Sequence, residues 1–229
     1  MKKTSSILFL LIACICFSFT TNKKLTQGKV EFSVSFDNLT PEMKEIESLL
    51  PKTMSIFFKG KHMRTEMPTS MGNTITINDD EKKEWYLLMD MMGQKFAIKR
   101  TDEEMKKDTT KSVTNLKVTY PKETKVIAGY TCQKAIISYE SDGKKESVEC
   151  FFTRQLPVLG FMNAGPGYDK VEGFLMEYKM TTQGLTLNLI ATKVSEQNIS
   201  DDLFKVPGDF KLLSDEELMK MQNNVPADR

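Results

Sequence analysis

The chain carries one histidine, His62, so any Ser-His-Asp or Cys-His mechanism must run through that single imidazole. His62 precedes Met63 in an alternating stretch and sits beside Lys61 and Arg64, which reads as an ordinary exposed strand position. There is no Gly-Xaa-Ser-Xaa-Gly elbow to expose a nucleophile, and no glycine-rich loop ending in Lys-Ser or Lys-Thr to cradle phosphates. Cysteine and histidine do not fall at the short spacings that let both reach one zinc ion. The acidic groups Asp79-Asp80-Glu81 and Asp102-Glu103-Glu104 lie beside lysines in turn-like sequence and lack the spaced oxygen ligands of a calcium loop. The residues therefore predict neither an enzyme nor a metal or cofactor protein.

Methionine is the compositional excess, at 15 residues. Met89, Met91 and Met92 cluster near Trp85, and Met63, Met67 and Met71 near the preceding strands. Flexible thioether side chains suit a cavity that accepts varied apolar ligands, and they equally fill irregular cores; both readings stand. No histidine accompanies these clusters, which argues against a copper site.

Charge excludes another class. The 32 basic and 31 acidic side chains nearly cancel, so the basic face expected of a nucleic-acid binder is missing. With 14 Phe among 40% hydrophobic residues, the chain has ample surface to bury and is not disordered by composition.

Met1-Lys2-Lys3 followed by the apolar run from Ile7 to Phe19 reads as an export leader, residues 1–21. The run is shorter than the roughly 20 apolar residues that span a bilayer, and no later segment is longer, so no transmembrane segment is expected. Leu11-Ile12-Ala13-Cys14 resembles a lipobox, which would make Cys14 the acylated first residue of a lipoprotein. Against it, Ile15 to Phe19 continue the apolar run, as in simple secretion with a cut near Thr20 or Thr21. Export places Cys132 and Cys150 in an oxidising compartment, where a disulfide is plausible. Yet an Asp142-Gly143 hairpin turn sets Cys150 opposite position 135, on the face away from Cys132 and about 10 Å along the strand. That question stays open.

The elements that must position these residues are mostly strands. Period-2 alternation runs through Val30 to Phe36, Met54 to Phe58, His62 to Met67, Ile75 to Ile77, Trp85 to Met89, Lys95 to Lys99, Leu116 to Tyr120, Cys132 to Tyr139, Ser147 to Thr153, Phe174 to Met180 and Leu185 to Val194. Asn78-Asp79-Asp80 reads as a turn. Thr40-Pro41 opens a short amphipathic helix with Met43, Ile46, Leu49 and Leu50 on one side, stopped by Pro51. Ser214, with Glu217 completing a capping box, opens a C-terminal helix, and the tail from 223 to 229 frays. Residues 154–173, rich in Gly and Pro, form a long loop whose Phe161, Met162 and Tyr168 suit either a lid or a segment packed at the barrel mouth. The expectation is one mainly β (α+β) domain over residues 22–222: a curved antiparallel sheet of about ten strands, with the two helices covering its concave face.

The segment Glu123-Thr124-Lys125-Val126-Ile127-Ala128-Gly129-Tyr130-Thr131-Cys132 resembles the "ETK-x-IAGY-x-C" stretch of the secreted bacterial proteins grouped as domain of unknown function 4412. Gly173 to Tyr178, Ala191 to Val194, Leu203 to Pro207, Ser214 to Leu218, Gly28 and Phe57 to Gly60 also match, in order, so the resemblance spans nearly the whole mature chain. Cys150 departs from the pattern, where an aromatic residue is expected. The resemblance implies a half-barrel similar to the LolA-like lipoprotein-carrier fold, in the periplasm or on the outer-membrane surface of a Gram-negative bacterium. It also implies a hydrophobic ligand cavity and brings no catalytic residues. The expected ligand contacts are Met43, Ile46, Leu50, Phe58, Met89, Phe161, Met162 and Tyr178, holding a lipid or acyl chain. The alternative is an envelope interaction or sensing module, with a protein partner and no small ligand.

Overall fold

The computed structural model describes residues 25–91, 93–101, 103–104, 113–157, 165–182, 184–214 and 217. The leader with Cys14, and Phe161 and Met162 of the long loop, lie outside the described residues. Thirteen strands build one sheet: β1 Gln27–Asp37, β2 Thr53–Lys59, β3 His62–Thr69, β4 Gly72–Asp79, β5 Glu84–Met91, β6 Gln94–Thr101, β7 Val113–Thr119, β8 Thr124–Ile127, β9 Tyr130–Ser141, β10 Lys144–Thr153, β11 Phe174–Thr182, β12 Leu185–Ser195 and β13 Lys211–Leu212. Their order is β13-β6-β5-β4-β3-β2-β1-β12-β11-β10-β9-β7, with β8 beside β7 along β9. Two meanders thus meet at the β1–β12 pair, and every pairing is antiparallel except β13–β6.

The strand count exceeds the expected figure of about ten; β8 and β13, which alternation does not mark, are too short to show a period. β8 has four residues, with Val126 71% exposed, and β13 has two. The hairpin at Asp142-Gly143 forms as its sequence demands. Both residues have positive φ, at 50° and 73°, and Ser141 pairs with Lys144.

Curvature is visible in ring contacts. Phe58 on β2 and Phe174 on β11 stand three strands apart, about 14 Å in a flat sheet, yet their ring centroids are 6.2 Å apart. The sheet therefore curls around the face that carries Val30, Phe32, Ile56, Phe58, Ile137, Phe152, Phe174, Met176 and Leu189, all fully buried. Gly28 and Gly173 permit this approach. A Cβ on Gly28 would fall 2.6 Å from the Ser195 carbonyl oxygen, and one on Gly173 2.4 Å from Phe152 Cδ2 and 2.6 Å from the Thr153 oxygen.

Among the described residues, no helix covers the concave side. The first helix, α1 Pro41–Glu45, has Thr40 as its cap and Pro at its start, as expected, but lasts five residues. Together with the 3-10 turn Glu47–Leu49 it buries no side chain, leaving Ile46 42% and Leu49 37% exposed. At the C-terminus the Ser214–Glu217 capping box is made, with the Glu217 amide donating to Ser214 Oγ at 3.3 Å and the Ser214 amide to Glu217 Oε2 at 3.0 Å. The residues that would follow in a helix lie outside the described set. Cover comes instead from the loop after β10: Leu156, Tyr168 and Val171 are buried in the concave core, Tyr168 donating its hydroxyl to the Lys179 carbonyl at 2.8 Å.

A second core lies on the opposite face of β4–β6. There Ile75, Ile77, Leu88 and Ala97 are covered by Phe204, Val206 and Phe210. This strap, residues 201–213, crosses the convex side and is tied at both ends. Lys59 meets Asp201 at 2.6 Å, Arg64 donates to the Leu203 carbonyl at 3.1 Å, and Lys95 meets Asp209 at 2.7 Å.

Crowding at Gly173 gives a direct check. Gly173→Ala should destabilise the protein by about 1–3 kcal/mol through overpacking against Phe152 and β10. Gly208→Ala, whose added methyl meets nothing within 4 Å, should change stability by less than about 0.5 kcal/mol. Urea unfolding midpoints measure both.

Candidate apolar binding surface

Strand register builds a small lattice on the concave face of β3–β6. Cross-strand partners share a face, so Met63, Asn78, Trp85 and Arg100 form one row, Thr65, Thr76, Leu87 and Ile98 the next, and Met67, Thr74, Met89 and Phe96 the third. Rows are about 7 Å apart along the strands and strands about 4.8 Å apart. The first row belongs to the concave core, with Met63 and Trp85 at 4% exposure. In the outer rows Leu87, Met89 and Phe96 are half-buried and belong to neither core cluster. This strip is an apolar surface that the fold leaves incompletely covered.

Antiparallel alternation brings other apolar groups to the same end of the sheet. The β1–β2, β3–β4 and β5–β6 connections all lie there, so exposed Ile46, Leu49 and Met71 (47%) sit at the same end of the sheet as the outer row. The expected ligand residues consequently divide. Met89 is on the strip, and Met43, Ile46 and Leu50 lie in the β1–β2 connection at the same end of the sheet. Phe58 and Tyr178 are core residues, 0% and 5% exposed, and no ligand reaches them in this packing. Leu87 and Phe96 were not singled out by sequence reading. Their signal is the double-sided apolar run Trp85-Tyr86-Leu87-Leu88-Met89, which marks a strand buried on both faces.

The middle of the barrel is filled. Phe32 meets Tyr178 edge-on at 6.0 Å, Tyr168 meets Tyr178 at 5.9 Å and Tyr120 meets Phe152 at 5.5 Å. Burial drives the phenols of Tyr168 and Tyr178 well above their ordinary range. A depression of about 340 Å³ opens elsewhere, at the β7–β9–β10 corner, lined by Asn115, Lys117, Tyr139, Glu140 and Lys145 among others. Its mixed charges, with Asn115 donating to Glu140 at 2.8 Å, do not suit an acyl chain.

The groups with chemical potential are held in structural roles. His62 lies 3.7 Å from Asp79 and stacks on Phe204 of the strap at 5.6 Å. Burial pushes the Asp79 carboxyl up, but Lys82, bonded to it through both side chain and backbone, and His62 bring it below its ordinary value. Asp79 also accepts the Glu81 and Lys82 amides at 3.2 and 3.1 Å, closing the β4–β5 turn. Among the described residues no group of three metal-ligating side chains occurs.

Cys132 and Cys150 are unbridged in this structure, and both are buried. Cys150 pairs with Ala135, as the hairpin register requires, and so lies on the concave face, while Cys132 lies on the other face beneath β8. Burial pushes the Cys132 thiol up to about 11 and the Cys150 thiol up to about 12, so neither is a nucleophile at neutral pH.

Residues 40–163, more than half the chain, match the family described as domain of unknown function (DUF4412). The chain belongs to that family. No curated protein matches this DUF4412 chain. Among solved structures it is similar to LprF from Mycobacterium bovis, at 11% identity over 78% of this chain and 89% of that one, with a TM-score of 0.32. It is also similar to a beta-barrel-like protein of domain of unknown function DUF1849 from Brucella abortus, at 8% identity over 76% and 99%, with a TM-score of 0.36. Both overlaps are loose, and neither carries a role over to this chain.

The buried thiols predict an alkaline limit. In the unfolded chain they ionise near 9.0, whereas the native protein keeps its protons to about 11 and about 12. Above pH 9 the unfolded state binds fewer protons, so stability is full below pH 9 and falls as pH rises, by up to about 1.4 kcal/mol per pH unit per thiol. Urea midpoints measured between about pH 8 and 10 should show this slope, and the Cys132→Ala, Cys150→Ala double variant should flatten it.

Proposed function

We propose that this protein is an exported, non-enzymatic binding protein of the cell envelope that holds the apolar chain of a lipid-like ligand. The ligand lies on the concave strip of β3–β6. The observation that carries this reading is the contrast between the two halves of one concave face. Across β1, β2 and β9–β12 that face is closed by side chains, while Leu87, Met89 and Phe96 remain half-buried, with exposed Ile46, Leu49 and Met71 at the same end of the sheet. Placing an acyl chain there removes apolar surface from water and supplies about 0.8 kcal/mol per buried CH₂. Three methionines on the strip or at its end of the sheet, Met67, Met89 and Met71, fit a surface that adapts to chains of different shape.

The filled barrel centre favours a second reading, in which the same strip receives an apolar segment of an envelope protein and no small molecule. Among the described residues, Phe32, Tyr168 and Tyr178 pack edge-on in the middle of the fold, where a carrier of large ligands needs a central cavity.

Titration with a fluorescent long-chain fatty acid tests the first reading. Met89→Asp and Phe96→Asp should each weaken binding at least about tenfold, or about 1.4 kcal/mol, with little change in the urea midpoint. Ile190→Asp, on the outer face, should bind like the native protein. Unchanged affinity in both strip variants overturns the ligand assignment, and absence of any fatty-acid binding turns the reading toward the protein partner.

A further inference from the structure

The chain leaves the strap along β13, at the edge of the wing that carries the strip. Lys211 pairs with Phe96 and Leu212 with Ala97, and the Leu213 amide donates to the Ala97 carbonyl at 2.8 Å. That register extends the concave rows by one column. Lys211 joins the row of Met89 and Phe96, and Leu213 the row of Leu87 and Ile98. Leu213 and Ile98 are each 8% exposed, and neither belongs to a core cluster. The strap covers the opposite face. A leucine in the outermost column of a sheet is buried only where something lies over it.

The residues that follow are placed to supply that cover. Glu217 is helical, its capping box with Ser214 is made, and its Oε1 meets Lys211 Nζ at 2.6 Å. The first turn is thereby held to the position beside Phe96. With Ser214 as cap, Leu213 and Leu218 occupy the two positions of a hydrophobic staple, which packs one against the other and fixes the direction in which a helix departs. Leu218 and Met221, three residues apart, share one helical face, with Met219 on its flank. A helix over 215–222 is about 12 Å long, which matches three strands at about 4.8 Å spacing. So short a helix is marginal in water and needs an apolar surface to form against.

We propose that the segment 215–222 is an intramolecular occupant of the strip: its Leu218–Met221 face docks over Leu87, Met89 and Phe96 in the empty protein, and a ligand binds by displacing it. The competition rests on the apolar-ligand reading, whereas the docking does not. Docking shields the strip from water while no ligand is present, and leaves it recoverable because the occupant is a short chain end and not part of the core. A segment docked nine-tenths of the time lowers the apparent affinity of a ligand about tenfold.

The test keeps the full chain and reads a thiol placed on the strip. Met89→Cys is compared with and without the pair Leu218→Asp and Met221→Asp, and labelling of residue 89 by a water-soluble maleimide at neutral pH is followed by peptide mass spectrometry. Cys132 and Cys150 are buried, with thiols held above their ordinary range, and stay unlabelled. Release of the segment should speed labelling at residue 89 at least about tenfold. Ile190→Cys, on the outer face, should label at the same rate in both backgrounds. Equal rates at residue 89 overturn the docking. Without the added cysteine, the two aspartates should tighten binding of the fluorescent fatty acid about tenfold; unchanged or weaker binding overturns the competition. Absence of any fatty-acid binding removes the ligand reading, and the labelling rates still decide the docking. Where the double variant fails to fold by urea titration, Met221→Asp alone takes its place.

Discussion

A β-strand sends alternate side chains to opposite faces, so a thirteen-stranded sheet must find cover for two surfaces at once. The chain meets that constraint differently in its two halves. Around β1, β2 and β9–β12 the sheet curls on itself and the loop carrying Tyr168 fills the middle. Across β4–β6 the outer face is apolar too, and the strap with Phe204, Val206 and Phe210 covers it. The inner face of that wing therefore has no structural obligation to be filled, and the partly open strip is a consequence of how the burial is divided.

Most of the sheet was legible from residue types. Alternation located eleven strands, Thr40-Pro41 the first helix start, and Asp142-Gly143 a register accurate enough to set Cys150 opposite Ala135. What escaped depends on contacts between residues distant in sequence. Asn78 reads as a turn residue beside Asp79-Asp80, yet pairing with Met63 and Trp85 draws it into β4. The Met43–Leu50 helix has the spacing of a buried face, but no partner surface lies against it, and two apolar side chains stay exposed. The role of Phe204 and Val206 as cover for β4–β6 is equally invisible locally, because their strap sits more than a hundred residues from the strands it seals. Phe58 and Tyr178 illustrate the same gap from the other side: apolar spacing marks a residue as inward-facing and does not tell a filled interior from an open one.

The edges of the sheet narrow the ways in which it can meet a partner. Strand addition needs an unpaired, extended edge. Along β9 the outer strand is interrupted between β7 and β8 by Pro121, and β7 itself carries a bulge between Thr114 and Lys117 with Asn115 at positive φ. At the other end β13 pairs over two residues only. Both ends show the bulge, proline and short-strand features that blunt edge-to-edge association. Recognition by this protein is therefore better served by a face than by an edge, which applies to a lipid-like ligand and to a protein segment alike.

The strap also explains how the inner strip can remain apolar and partly open without compromising folding. Its ion pairs, Lys59–Asp201 and Lys95–Asp209, involve exposed groups and contribute little by themselves. The weight falls on the contacts of Phe204, Val206 and Phe210 with Ile75, Ile77, Leu88 and Ala97, which bury the outer face of the wing. Because β4–β6 are secured from outside, the inner rows at Leu87, Met89 and Phe96 are free to carry the proposed binding. Substitutions at Leu88 or Ala97, one residue away in sequence and on the opposite face, act on whether the wing forms. Stability and recognition thus occupy alternate positions of the same strands, and the two-residue period of the sheet keeps them separable.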